Sequence, residues 1–161
     1  MSECSGSYSS CISFTCAIII TVSQATSIAA QDAPVTPCDS YAASDLDPNR
    51  KSAGVPFDHI KSDLAVSACE AATKLYPHDS RITYQLGRSY QSAKKIDLAR
   101  VYYTRADSAG YVIATAALGV LYRDGLGGSQ NDSEAVSLFR KAAGSIRARP
   151  APSRAANARR G

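Results

Sequence analysis

The chain has no tryptophan, one methionine, two histidines and three phenylalanines. His59 and His78 stand at no metal-ligand spacing from each other or from a cysteine, so a zinc site is not expected. Acid is nearly absent from both ends: residues 1–30 carry only Glu3, and residues 145–161 carry five arginines and no acid. Between them thirteen basic side chains face thirteen acidic ones, so the formal net charge of +4 belongs to the tail. A balanced middle offers no general attraction for nucleic acid or for a membrane surface. Long apolar runs are missing too. The stretch 14–22 is apolar, but Ser13, Thr15, Thr21, Ser23 and Gln24 interrupt it. It falls short of the roughly 20 residues that span a bilayer, so no stable membrane insertion is expected. No segment sustains the alternation of a half-buried strand.

The apolar centre at 14–22 is followed by small residues and an abrupt polar start at Gln31 and Asp32, the profile of a secretory signal, although its start lacks Lys or Arg. Ser27, Ile28 and Ala29 give the small-x-small pattern, with cleavage after Ala29 or after Ala30. Residues 1–30 are read as a signal peptide and the mature protein as periplasmic or secreted. Cys4, Cys11 and Cys16 would leave with it. Cys38 and Cys69 then remain as an even pair in an exported chain, where disulfides form and persist; the alternative is two unrelated buried thiols. The C-terminal segment 145–161, rich in Pro, Ala and Arg, cannot bury a core and is read as a disordered basic tail.

What is present is a recurrence. Asp63, Leu64, Ala65 and Ala72 return as Asp97, Leu98, Ala99 and Ala106, 34 positions on. Ala99, Tyr102 and Ala106 return as Ala135, Leu138 and Ala142 at 36, and Leu86, Gly87 and Tyr90 return as Leu118, Gly119 and Tyr122 at 32. Such periods mark stacked supersecondary units. The spacing predicts helices over 63–75, 81–93, 96–109, 112–123 and 132–143. Tyr76 to Ser80 breaks and caps the second of these, Gly110 stops the third, and Gly125, Gly127 and Gly128 turn the chain before the last. On a helix Leu86 and Tyr90 share one face, and Gly87 beside them lets a neighbouring backbone approach. Ala99 with Ala106, and Ala135 with Ala142, form small stripes on the partner helices that complete this packing. The expected fold is all-α, with an irregular N-terminal cap over 31–62 and helical repeats over 63–144.

Ala114, Leu118, Gly119, Tyr122, Gly125, Gly127, Asp132 and Ala135, with the run Phe139-Arg140-Lys141-Ala142-Ala143, resemble a Sel1-like repeat. The preceding unit, 84–110, lacks the glycine loop and is similar to a tetratricopeptide repeat, with Pro77 at the boundary. The segment from Cys38 to Ile60 resembles an N-terminal cap of some exported bacterial members. The resemblance covers 63–144 and implies antiparallel helix hairpins stacked into a right-handed superhelix that binds another protein. The chain departs from the pattern in lacking a Trp before Lys141-Ala142-Ala143 and in holding about two and a half repeats.

The function expected is therefore a non-catalytic scaffold with an unknown protein partner, no nucleic acid and no cofactor. Gly125 to Gln130 lacks the Lys-Ser or Lys-Thr of a phosphate loop, and Asp45 with Asp47 suits a turn beside Pro48. No nucleophile elbow or triad is present, and no catalytic residue is assigned. Among the tyrosines, Tyr90, Tyr102 and Tyr122 are expected in the core, while Tyr103, one step off the stripe, joins Arg88, Arg123 and Lys94 as a possible partner surface. Two rivals are a β-lactam-binding or hydrolysing enzyme of the cysteine-rich Sel1 type, whose regular cysteine pair this chain lacks, and the front of a longer repeat protein.

Overall fold

The computed structural model describes residues 33–148; residues 1–32, with the segment expected to be a signal peptide, and those after Ala148 lie outside the described residues. Six helices follow in order: α1 Pro37–Ala42, α2 Ser62–Leu75, α3 Ser80–Ser92, α4 Ile96–Ser108, α5 Val112–Arg123 and α6 Asp132–Ala148, with a 3-10 turn at Phe57–His59. No strand occurs among the described residues. The five longer helices begin and end within a residue of their expected bounds, except that α6 runs on to Ala148, four residues into the segment read as tail.

Local chemistry sets these boundaries. Asp79 caps α3 by accepting from the Ile82 backbone N–H at 3.0 Å. Thr36 and Asp39 form a reciprocal capping box at the start of α1, with Pro37 in its first turn. Three helices end alike: the N–H of Lys95, Tyr111 and Leu126 reaches back to the carbonyl of Tyr90, Ala106 and Leu121, at 2.9–3.0 Å. The residue before each of those donors has positive φ, and two of the three, Gly110 and Gly125, are glycine, which adopts it without Cβ strain; Lys94 is the exception.

Successive helices pack on one another. Short links of a few residues reverse the chain between α3 and α4 and between α4 and α5. The core runs along α3, where every residue from Arg81 to Tyr90 is buried. Ala65, Cys69 and Ala72 approach from α2, Ala99, Tyr103 and Ala106 from α4, and Ala114, Leu118 and Leu121 from α5. The small-residue stripes lie at these contacts: Ala99, Ala106, Ala135 and Ala142 are all buried.

The two recurring glycines meet aromatic rings, and Gly87 meets a backbone carbonyl as well. A Cβ added to Gly87 would stand 2.7 Å from Tyr103 Cδ1 and 3.3 Å from the Ala99 carbonyl oxygen. One added to Gly119 would stand 2.7 Å from Phe139 Cε1. Tyr103 and Phe139 are 36 positions apart, the spacing already read for the small stripes, so one packing device is used twice. The expected close approach of backbones is met at Gly87 by the Ala99 carbonyl, and at both glycines a ring laid on the helix is the nearer neighbour.

Cys38 and Cys69 are bonded, tying α1 to α2 across 31 positions, with both sulfurs fully buried. On the chain-entropy model such a loop is worth about 3 to 4 kcal/mol. Replacing both cysteines by alanine is expected to lower unfolding free energy by about that amount. A shift in urea midpoint at unchanged slope measures it, and an unchanged midpoint would show that the cap is held without the bridge.

Candidate functional site

The cap, residues 33–60, lies against one face of α3, and polar side chains on that face hold it. Arg81 pairs with Asp39 and donates to the carbonyls of Ala33 and Pro34 at 3.1 and 3.3 Å. Gln85 Nε2 donates to the same Asp39 oxygen, Oδ1, at 3.0 Å. Arg88 donates to the carbonyls of Ala42, Ala43 and Val55 at 3.3, 3.0 and 2.6 Å, with its guanidinium 5.7 Å from the Phe57 ring centroid. Arg81, Gln85 and Arg88 recur at helical spacing, so one stripe of α3 grips a stretch of backbone. The carbonyls at the end of α1 find donors there that the short helix cannot supply itself.

Shifting that stripe by the 32 positions that superpose Leu86-Gly87 on Leu118-Gly119 gives Ile113, Ala117 and Val120 on α5, and Tyr84 maps to Ala116. All four α5 residues are half-buried and face a groove of about 850 Å³. The cap loop forms one wall through Leu46 and Asp47, and α6 forms the other through Phe139 and Ile146. Leu46 is 78% exposed and Ile146 64%, so apolar side chains stand on both rims. The same face is therefore polar and covered on α3, and apolar and accessible on α5. A face lined this way favours apolar side chains over any charged small molecule.

Tyr84 and Tyr111 stand where the cap meets the groove, with ring centroids 5.6 Å apart. The Tyr111 hydroxyl donates to Asp47 Oδ2 at 2.5 Å, and Asp47 Oδ1 accepts from the Asn49 backbone N–H at 2.9 Å. Burial pushes the Tyr111 phenol up, and the Asp47 carboxylate beside it pushes it further. Burial likewise raises Tyr84 and Tyr103. These hydroxyls stay protonated as donors and offer no base for proton transfer at neutral pH. His59 and His78 are exposed, and among the described residues no group of three or more His, Cys, Asp or Glu side chains could hold a metal ion.

The partner surface expected from sequence is not assembled. Arg88 is 5% exposed and spent on cap carbonyls. Tyr103 is 1% exposed, its ring on Gly87 and its hydroxyl donating to Gln91 Oε1 at 2.7 Å. Being one step off the stripe turned Tyr103 toward α3, because two helices lie against α4 and not one. Arg123 and Lys94 are exposed, with Arg123 paired to its neighbour Asp124 at 2.7 Å. Of the tyrosines expected in the core, Tyr90 is buried, Tyr102 is half-buried and stacks on it at 5.4 Å, and Tyr122 is half-buried under Arg100. Leu86 and Leu118 are buried. Sequence reading missed Asp39, Arg81 and the α5 face. The change from Arg81, Gln85 and Arg88 to Ile113, Ala117 and Val120 at one offset was the signal that could have found them.

The chain matches no family model, no curated protein and no solved structure. Among the described residues no helix is long and apolar enough to cross a membrane.

Proposed function

We propose that the protein is a non-catalytic protein-interaction scaffold of Sel1-like or tetratricopeptide-like helical hairpins, acting outside the cytoplasm. One observation carries this reading. The α5 face at Ile113, Ala116, Ala117 and Val120 is apolar and accessible, while its counterpart on α3 holds a segment of the chain's own backbone. A helix face that packs a peptide segment in one unit supports the same use in the next, with apolar contacts in place of guanidinium donors. The scaffold is preformed: the disulfide and the buried contacts of Asp39 fix the wall made by the cap, so little ordering cost attends binding. The disulfide also favours an oxidising compartment.

Panning random displayed peptides on the immobilised protein tests the reading. Apolar sequences are expected to be enriched on the parent protein and lost on Ala117→Glu, with circular dichroism showing that the variant keeps its helices. No enrichment on folded parent protein would defeat the proposal, as would turnover of a chromogenic β-lactam.

A further inference from the structure

The groove carries one charged side chain among its lining residues, Asp47, which is 0% exposed. Its two oxygens accept from neutral donors, the Tyr111 hydroxyl and the Asn49 N–H, and no ion pair reaches it among the described residues. Arg50 and Lys51, the basic side chains of the cap loop, donate to backbone carbonyls and not to the Asp47 carboxylate. Arg50 donates to the backbone carbonyls of Asp45 and Asp47, and Lys51 donates to the carbonyl of Ala33. Arg81, the next guanidinium inward, is held by Asp39 and lies near Asp79 at 3.5 Å. Asp45, two positions before Asp47, is exposed on the same loop.

Buried charges in proteins are ordinarily paired, and hydrogen bonds from neutral donors leave the net charge in place. In an apolar groove that charge is poorly screened, so it favours a cation nearby and disfavours an anion. The opposite wall, at Phe139, Ala142 and Ile146, offers apolar surface and no acid. The two walls of the groove therefore ask for different chemistry from a single occupant. Resting on the interaction reading above, we infer that the groove receives an apolar peptide segment of a partner protein carrying a lysine or arginine, whose charge lies beside the Asp45 and Asp47 loop. The apolar side chains cover Ile113, Ala117 and Val120, and the cation sits at the wall formed by the cap. The preference is for sign of charge at one wall and not for a particular sequence.

Fluorescence anisotropy with the intact disulfide-bonded protein tests this with three labelled helical peptides. The first has leucines on one face and two lysines at one end, the second replaces those lysines by glutamates, and the third keeps the lysines but replaces the leucines by serine. The lysine-leucine peptide is expected to bind at least about tenfold more tightly than the glutamate version, a preference of about 1.4 kcal/mol. That preference should shrink in Asp47→Asn and, to a lesser degree, in Asp45→Asn, whose exposed side chain makes the second variant safe for folding. If Asp47→Asn loses its helical signal, the Asp45→Asn measurement decides alone, and an undiminished preference there overturns the inference. Equal binding of both leucine peptides overturns the charge preference while leaving the groove as an apolar interaction site. Binding of neither leucine peptide to folded protein removes the interaction reading as well. Tight binding of the serine peptide would place the attraction in charge alone and overturn the inference. A dimer in sedimentation that Ala117→Glu dissociates would make a second copy the occupant and overturn it too.

Discussion

Replacing Asp39 by alanine is expected to lower stability by about 3 to 5 kcal/mol, since it takes from the buried Arg81 its direct carboxylate partner and leaves only the longer contact to Asp79. Asp39 is fully buried and takes bonds from Arg81, Gln85, the Thr36 hydroxyl and the Thr36 N–H. Its loss leaves four buried donors without their acceptor. The double replacement Asp39→Leu with Arg81→Met should recover part of the deficit, because two apolar groups ask for no partner there. Urea unfolding of the three proteins decides it: a single variant as stable as the parent would show that the disulfide and the Arg88 contacts hold the cap without Asp39.

The same carboxylate sets an acid limit. Burial by itself raises the Asp39 pKa, but the bonds from Arg81, Gln85 and Thr36 together outweigh it and hold the carboxyl below its ordinary value. A folded pKa below the unfolded one, about 3.9 for Asp, gives stability that is present above the unfolded value and lost as pH falls through the folded one. Asp107 shifts the same way: burial opposes ionisation, and the bonds from Lys141 and Thr115 prevail. Stability should therefore decline below about pH 4, more gently in Asp39→Asn but not flatly, as Asp107 still contributes.

Replacing Gly87 by leucine should abolish the fold, read as loss of helical circular dichroism at room temperature. Even a Cβ there would press the ring of Tyr103, which is fully buried with its hydroxyl tied to Gln91, and lie close to the Ala99 carbonyl. Neither neighbour can withdraw, and overpacking of this kind costs about 1 to 3 kcal/mol or more per site. Gly119→Ala is the informative contrast. Phe139, the ring it meets, is only half-buried and can swing toward the groove. The gain of about 1 kcal/mol from exchanging glycine for alanine within a helix then offsets much of the clash. Gly87→Ala should destabilise clearly and Gly119→Ala little, and equal effects would mean that ring burial does not set the cost.

Much of the architecture was legible in the order of residues. Helix bounds followed from Asp79, Gly110 and the glycine turn, because caps and left-handed stops are local and need no tertiary partner. The pairing of Cys38 with Cys69 was readable once an exported chain with two remaining cysteines was assumed. Side-chain direction was not legible in the same way. Tyr102 and Tyr103 are adjacent and chemically identical, and only the position of α3 decides which of them lies on Gly87. Arg88 reads as a surface residue by its type, and the carbonyls it meets belong to residues 33 to 46 positions earlier.

The linear pattern by itself determined that this chain makes helices, where the five longer ones begin and where all but the last of them stop, and that one packing device is written twice, since periodicity and capping act over a few residues; it did not mark α1 within the cap. Only the folded arrangement decided that the cap covers α3 and leaves α5 accessible, and that Asp47 stands beside an apolar groove with no ion pair among the described residues. Those outcomes depend on which distant backbone carbonyls and apolar faces meet, and contacts of that range leave no mark on the spacing of neighbouring residues.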